Sequence, residues 1–544
     1  MLPLGLFTRV SLFGPLLGCS AATLVTAGQP ATMAAALTSA ALTIEGVKWR
    51  DLRVAPRELR PNLSLQMGQC FNWFRLGVSG ETGLWVGMVG SRAVGIKQTP
   101  ETTMFCSLDA DMNGGELYDD LRAYFCLDDY NLVSCYDAWA KADTRMAVVV
   151  EHLVGVRVVR QEPWECLVSF ICSSNNNIKR ITLMLDRLKT TYGKYVCTVE
   201  PSKTGAGWVV VHRPSDSSAG GASSTVPVPV PVPATPTSSS SSSSSWRSHS
   251  LDLFSFPTPL ALAAASEADL RALGVGYRAK FIRGSAEKVA QKVGGGNEWL
   301  LSLRTKACME AVSSGTAMQK SKGARKSKSK NMSELPQPPS QSLSQSQSQS
   351  QSQSQSQQDR QHRLFVQEQL TSLPGIGPKV ADCIALFACD QREAIPVDTH
   401  VHAIAIRDFN PSLAAHASIT PSVYEAIGDE FRKRFVPFAG LAHSVLFAAE
   451  LPEFRAVLPC HVQSSMKEFA AQRSADKKLK REEAGARKKK RDAAGAGARA
   501  DIEDAAGSAP SSTKKKKKKK RKTEQEDEEE EKVAREGAET ESET

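Results

Sequence analysis

The stretch LPGIGPKVADCIALFACDQREAIPVDTH, residues 373–400, decides the fold. Gly375 and Gly377 flank one aliphatic residue and make a tight turn. Val380, Ile384 and Phe387 then recur at helical spacing. The segment reads as a tight turn between two helices, whose exposed N–H groups at the second helix's amino end are placed to hold a phosphate. A helix-hairpin-helix of this kind grips a nucleic-acid backbone without reading sequence, because phosphates are alike at every step. A plain helix–helix corner has the same glycine pattern, so the motif alone leaves both readings open.

Lys379 stands in the first turn of that helix, where the macrodipole disfavours positive charge. The helix end and partial burial together predict a lowered amine pKa and a nucleophilic fraction near neutral pH. Asp398 follows in a Pro-Val-Asp-Thr-His turn. There it suits the N-cap of the next helix, and it also suits stabilising an oxocarbenium-like centre or relaying protons. The two roles are compatible.

Working outward, much of the 544-residue chain is too biased in composition to fold. Residues 196–250 pass through VPVPVPVPATP into a serine tract, 313–361 run from a basic segment into Ser-Gln repeats, and 461–544 are charged and alanine-rich. These three segments are expected to be disordered, since none buries enough apolar surface to offset the entropy of ordering. Residues 1–41 hold no acidic residue and one arginine, Arg9. An organelle transit peptide, a secretory peptide and a plain disordered leader remain open there.

What is left alternates apolar and polar residues in short runs between residues 60 and 110, then changes to helical period from about residue 114. Leu117, Leu121, Tyr124 and Phe125 define one helical face, and Ile178, Ile181, Leu185 and Leu188 another. The expected fold is α+β: an antiparallel sheet domain over 42–150, then a mostly helical body over 151–195 and 251–460.

The formal charge is +10, of which the tail from residue 461, with 23 basic and 19 acidic residues, carries +4. This excess is compatible with a polyanionic partner but too mild to require one. The lysine runs at 488–490 and 514–522 read as a nuclear address, with a solvated tail as the alternative. Twelve cysteines include no Cys-x-x-Cys pair, which argues against a zinc ribbon or an iron–sulfur cluster and for reduced thiols. No run of 18 apolar residues predicts a membrane span.

Six separate blocks resemble the 8-oxoguanine DNA glycosylase/lyases of the helix-hairpin-helix superfamily. They are GQCFNW (68–73), RQEPWECLVSFICSSNNNIKRI (160–181), LGVGYRAKFI (273–282), LPGIGPKVADCIAL (373–386), PVDTHV (396–401) and PFAGLAHSVLFAAEL (437–451). Their common order makes the resemblance specific. It implies a monomeric base-excision enzyme acting on damaged double-stranded DNA, with no membrane partner. It would remove 8-oxoguanine, and formamidopyrimidine, opposite cytosine and then nick the strand by β-elimination. No metal or organic cofactor is expected, because a lysine would trap the sugar itself.

The resemblance also implies roles. Lys379 would attack the deoxyribose C1′ and Asp398 would be the catalytic aspartate. Cys383 and Phe447 would pack on the two sides of the flipped base, positions that read otherwise as a buried thiol and core. Gly68, otherwise a turn glycine, would offer its carbonyl to the N7 hydrogen that oxidation creates. Asn175 would fill the hole left in the duplex, Tyr277 would wedge beside the orphaned cytosine, and Arg180 and Arg278 would contact it. His400 would join Gly375 and Gly377 at the phosphates. His443 departs from the pattern, standing where the family places a glutamine on the lesion's Watson–Crick edge. A neutral imidazole offers one donor and one acceptor, so altered discrimination is expected. Two rivals remain: a monofunctional glycosylase in which Asp398 activates water, and a noncatalytic DNA-binding module. The location implied is the nucleus, with mitochondrion or plastid left open by the leader.

Overall fold

The computed structural model describes residues 43–77, 83–110, 114–203, 207–213, 250–292, 296–305, 307, 345–416 and 418–503. The leader, the Pro- and Ser-rich stretch at 214–249, residues 311–344 and the tail beyond 503 lie outside the described residues. The chain divides into two compact units, Met1–Pro459 and Cys460–Thr544.

Strands β1 (Arg50–Asp51), β2 (Trp73–Leu76), β3 (Leu84–Val89), β4 (Arg92–Gln98) and β5 (Thr103–Ser107) form an antiparallel sheet in the order β1-β5-β4-β3-β2. Register places Trp85 opposite Ile96 and Val86 opposite Gly95. One face, with Trp73, Trp85, Ile96 and Phe105, packs on Leu117, Leu121 and Tyr124 of α1 (Gly114–Tyr124). The other face, with Leu84, Val86 and Met88, packs on Cys197, Val199, Trp208 and Leu253. Burial on both faces is why LWVGMV is continuously apolar, where a half-solvated sheet would alternate.

The residues covering that second face correct the sequence reading. Residues 196–250 were expected to be disordered, yet β6 (Tyr195–Pro201) and β7 (Trp208–Val211) fall there and join β8 (Leu251–Phe254), at the start of the expected helical body, in a three-stranded sheet in the order β7-β6-β8. Val196, Thr198, Val199 and Val209 to Val211 suit strands. Their signal is swamped by the adjoining Pro- and Ser-rich composition, and their apolar partners belong to another sheet.

The helical body comprises α2 (Leu132–Ala142), α3 (Thr144–His152), α4 (Pro163–Cys172), α5 (Ile178–Tyr192), α6 (Pro259–Ala264), α7 (Ala279–Ala290), α8 (Asn297–Ser302), α9 (Gln345–Thr371), α10 (Pro378–Ala388), α11 (Thr399–Ile404), α12 (Pro421–Arg434) and α13 (Ala439–Ala448). Every residue of α4 is buried, and so is α10 from Val380 onward. These two helices meet through Phe170 and Phe387, whose rings stack with centroids 5.5 Å apart. Both carry proline at their starts, as the missing N–H predicts.

Two further departures concern biased segments. Helix α9 begins at Gln345, inside the 313–361 stretch expected to be disordered. Its buried His362, Arg363, Val366 and Leu370 anchor the carboxyl-terminal half. Once a helix is nucleated, extension through glutamine costs little per residue. Similarly, Cys460–Glu503 is helical within the 461–544 segment expected to be disordered. Its Ala, Lys, Arg and Glu are strong helix formers, with opposite charges such as Lys478 and Glu482 four residues apart. Among the described residues no helix is long and apolar enough to cross a membrane.

Candidate active site

The turn from α9 into α10 has the geometry the glycines require. Gly375 sits at φ +79°, where side chains are strained, with Phe281 of α7 packed against it. Helix α7 holds the turn further: Ser285 Oγ donates to the Pro374 carbonyl at 2.9 Å and Lys288 Nζ to the Ser372 carbonyl at 3.0 Å. Gly377 is the N-cap of α10 and supplies no side-chain cap, which leaves first-turn N–H groups of the kind that can hold an anion.

Lys379 follows, half-buried, with Nζ 5.8 Å from the Phe170 ring centroid. It lines one cavity with Met67, Gly68, Cys383, Asp398, His443 and Phe447, closed by Phe170, Phe387, Pro396 and Ser444. Five elements converge there. Cys383 is one turn beyond Lys379 on α10, and Asp398 starts α11. His443 and Phe447 are successive turns of α13, their rings stacked 6.3 Å apart.

Asp398 does cap its helix: Oδ1 accepts from the N–H of His400 at 2.9 Å and of Val401 at 3.0 Å. The exposed His400 ring lies edge-on to Phe447, 5.9 Å away.

The expected depression of the Lys379 amine is not found. Cys383 holds the ammonium above its ordinary range, burial opposes this, and Asp398 adds to the rise. The Cys383 contribution needs a thiolate, and burial pushes that thiol up to about 11. At neutral pH Cys383 is therefore a neutral thiol, and the Asp398 carboxylate is the charge beside Lys379 that opposes burial. Sequence position showed the helix end; it did not show which charges the fold would set beside it.

His443 is buried, and burial pushes its imidazole down to about 4, so the ring is neutral at physiological pH. The Gly440 carbonyl favours its proton, but neither ring nitrogen makes a hydrogen bond of good geometry. Such an orphaned polar side chain inside a cavity is costly unless something else occupies it.

Gly68 is also in the left-handed region, at φ +77°. Two glutamines whose roles the sequence reading missed fix its turn. Gln69 Nε2 donates to Ser64 and Arg157 carbonyls at 2.6 and 2.9 Å, and Gln161 Nε2 donates to the Gln69 carbonyl at 2.7 Å. The Gln161 N–H in turn donates to the Phe387 carbonyl at 2.8 Å, tying this loop to the end of α10. Buried glutamines carry no periodic signal, so only their partners reveal them.

The first residue of α5 abuts this turn, since a Cβ on Gly68 would lie 3.1 Å from Ile178 Cδ1, and the α4–α5 loop leads into it. Asn175 is exposed there at φ +48°, as is Arg180 on α5. The Ser174 carbonyl accepts from Tyr277 Oη at 3.1 Å and from Arg278 Nη2. Tyr277 projects, 49% exposed, and packs edge-on against Phe281, which joins it to the hairpin. Arg278 is instead buried, bonded to Ser174 and, at 3.2 Å, to the Asn175 carbonyl, so in this state it braces the loop. Among the described residues no group of His, Cys, Asp and Glu could hold a metal ion.

A lysine and an aspartate in one cavity beside a glycine hairpin and a projecting aromatic define a helix-hairpin-helix DNA glycosylase. Residues 51–167 match the family model for the 8-oxoguanine DNA glycosylase N-terminal domain, and 168–420 that for HhH-GPD superfamily base excision DNA repair proteins. The chain is 30% identical to the N-glycosylase/DNA lyase OGG1 of Arabidopsis thaliana over 76% of its own length and 82% of that protein's. It is 28% identical to an N-glycosylase/DNA lyase of Saccharomyces cerevisiae, over 74% and 86%. The apo 8-oxoguanine glycosylase/lyase of Clostridium acetobutylicum matches 75% of this chain and 99% of its own at 19% identity, with a TM-score of 0.45. The chain belongs to the 8-oxoguanine DNA glycosylase/lyase family and is a base-excision repair enzyme.

Proposed function

We propose that the enzyme removes 8-oxoguanine, and formamidopyrimidine, opposite cytosine and then cleaves the strand through a lysine Schiff base. The observation that carries this reading is the convergence of Lys379 and Asp398 with Gly68, Cys383, His443 and Phe447 on one cavity. The Lys379 amine, after losing its proton, attacks C1′; the Nζ–C1′ bond forms as the bond to the base nitrogen breaks, and the base leaves with that electron pair and takes up a proton. Asp398 stabilises the positive charge that develops at C1′. The sugar ring opens to a protonated imine, a proton is lost from C2′, and the C3′–O bond breaks. This releases the downstream strand with its 5′ phosphate and leaves an unsaturated imine for water to hydrolyse.

Base recognition falls to the Gly68 carbonyl for the N7 hydrogen, with Cys383 and Phe447 on the two sides of the ring and His443 at the Watson–Crick edge. Asn175 fills the duplex, Tyr277 wedges it, Arg180 and Arg278 address the cytosine, and Gly375, Gly377 and His400 hold phosphates. For Arg278 this requires the 174–175 loop to release it. The His443 ring, which makes no hydrogen bond of good geometry, supports altered discrimination, since an incoming base could supply one. The lysine runs support a nuclear location, tested by following a tagged tail.

The direct test mixes the protein with a duplex carrying 8-oxoguanine opposite cytosine and adds borohydride. A covalent complex is expected in wild type and not in Lys379→Gln. Base release without trapping would favour the monofunctional reading; binding without either would favour a DNA-binding module.

A further inference from the structure

Resting on that reading, we infer that Tyr424 and Asp382 are positioning residues that set the placement of Asp398 relative to Lys379. Asp382 lies on α10 three residues after Lys379 and is 1% exposed. Its two oxygens are engaged separately, Oδ1 by Gln367 Nε2 of α9 at 2.8 Å and Oδ2 by Tyr424 Oη of α12 at 2.7 Å.

The same hydroxyl reaches the chain that leads into Asp398. Tyr424 Oη accepts from the Val397 N–H at 3.3 Å and lies 3.2 Å from the Ile395 carbonyl. A phenol has one proton, and the nearer, charged carboxylate outcompetes the carbonyl for it. That leaves the oxygen's lone pairs for Val397. Residues 395–398 belong to no strand or helix, so nothing regular fixes their path.

Downstream, Asp398 is held by its own cap bonds to His400 and Val401. Upstream, the tether is Asp382 to Tyr424 to Val397, and it starts on the helix that carries Lys379. The attacking amine and the charge-stabilising carboxylate are thus referenced to one another through a single half-buried tyrosine hydroxyl. Misplacement of reacting groups by about 1 Å can cost on the order of a hundredfold in rate, so a loosened tether should slow chemistry while leaving DNA binding intact.

The test is Tyr424→Phe, which keeps the ring and removes the hydroxyl. Single-turnover base release should slow about tenfold or more, while affinity for an uncleavable abasic-analogue duplex stays within about twofold. Amide exchange of the 395–401 segment, measured without DNA, should rise. Adding Asp382→Asn should slow the enzyme no further than the slower single variant, because both cut one tether. Gln367→Leu, which removes the other bond to Asp382 without touching 395–398, should leave the rate near wild type. Wild-type rate or unchanged exchange in Tyr424→Phe, parallel loss of rate and affinity, or an equal loss in Gln367→Leu would each overturn the inference. Failure of wild type to trap would count against the Schiff-base reading instead, and the exchange measurement would still decide the tether.

Discussion

A Cβ placed on Gly375 would lie 2.5 Å from Cγ of Phe281, and Gly375 itself is at φ +79°. Neither the backbone nor α7 leaves room for a side chain. Gly375→Ala should therefore destabilise the protein by about 1–3 kcal/mol and weaken DNA binding through the distorted hairpin. Gly377 differs: a Cβ there meets nothing within 4 Å. Gly377→Ala should melt like wild type yet bind duplex DNA several-fold more weakly, because the methyl intrudes where a phosphate approaches. Thermal melts beside binding titrations separate the two; equal melts for both variants would contradict the packing argument.

Asp398 combines a cap with a role in chemistry, and two substitutions divide them. Asn keeps an oxygen for the His400 and Val401 N–H groups, so Asp398→Asn should cost little stability, whereas Asp398→Ala should cost about 1 kcal/mol. Both should slow base release about a hundredfold or more, since both remove the negative charge. A stable Asp398→Asn with near wild-type rate would reduce Asp398 to a cap.

His443→Gln should retain activity and shift the preference for 8-oxoguanine over guanine, since the amide presents more donors and acceptors to the base edge. An unchanged preference ratio in competition assays would remove His443 from base recognition. The ring also predicts acid sensitivity. Its pKa falls from 6.5 unfolded to about 4 folded, so the unfolded state binds more protons between those values. Its stabilisation is present above pH 6.5 and lost as pH falls to about 4, on the order of 1–3 kcal/mol. In His443→Gln that part of the acid-induced drop in melting temperature should disappear.

Glu165 on α4 carries the opposite sign. Burial pushes its carboxyl up to about 7, against the attraction of Lys189, from an ordinary 4.5. Here the folded state binds more protons between pH 4.5 and 7, so stability falls as pH rises through that window. Glu165→Gln should raise the melting temperature at pH 8 and change it little at pH 4.5. An equal effect at both would show that the carboxyl is not protonated in the fold.

Much of this was legible in the chain. The hairpin, its buried helix faces and the sheet-then-helix order follow from glycine pairs, proline positions and hydrophobic period, all short-range properties of the backbone. Lys379, Asp398, Gly68, Cys383, His443 and Phe447, scattered over nearly 400 residues, do line one cavity. Strands β6 and β7 were hidden because only a distant sheet gives their valines an interior.

The sequence by itself determined which local shapes form and which reactive groups exist. Tertiary structure alone decided their environment: that Cys383 and Asp398 sit beside the Lys379 ammonium, that Arg278 braces a loop, that Gln161 pins the Gly68 turn and that Tyr424 bonds the Val397 N–H just ahead of Asp398. Electrostatic and hydrogen-bonding energies depend on separation and burial, and both are set by residues far away in the chain.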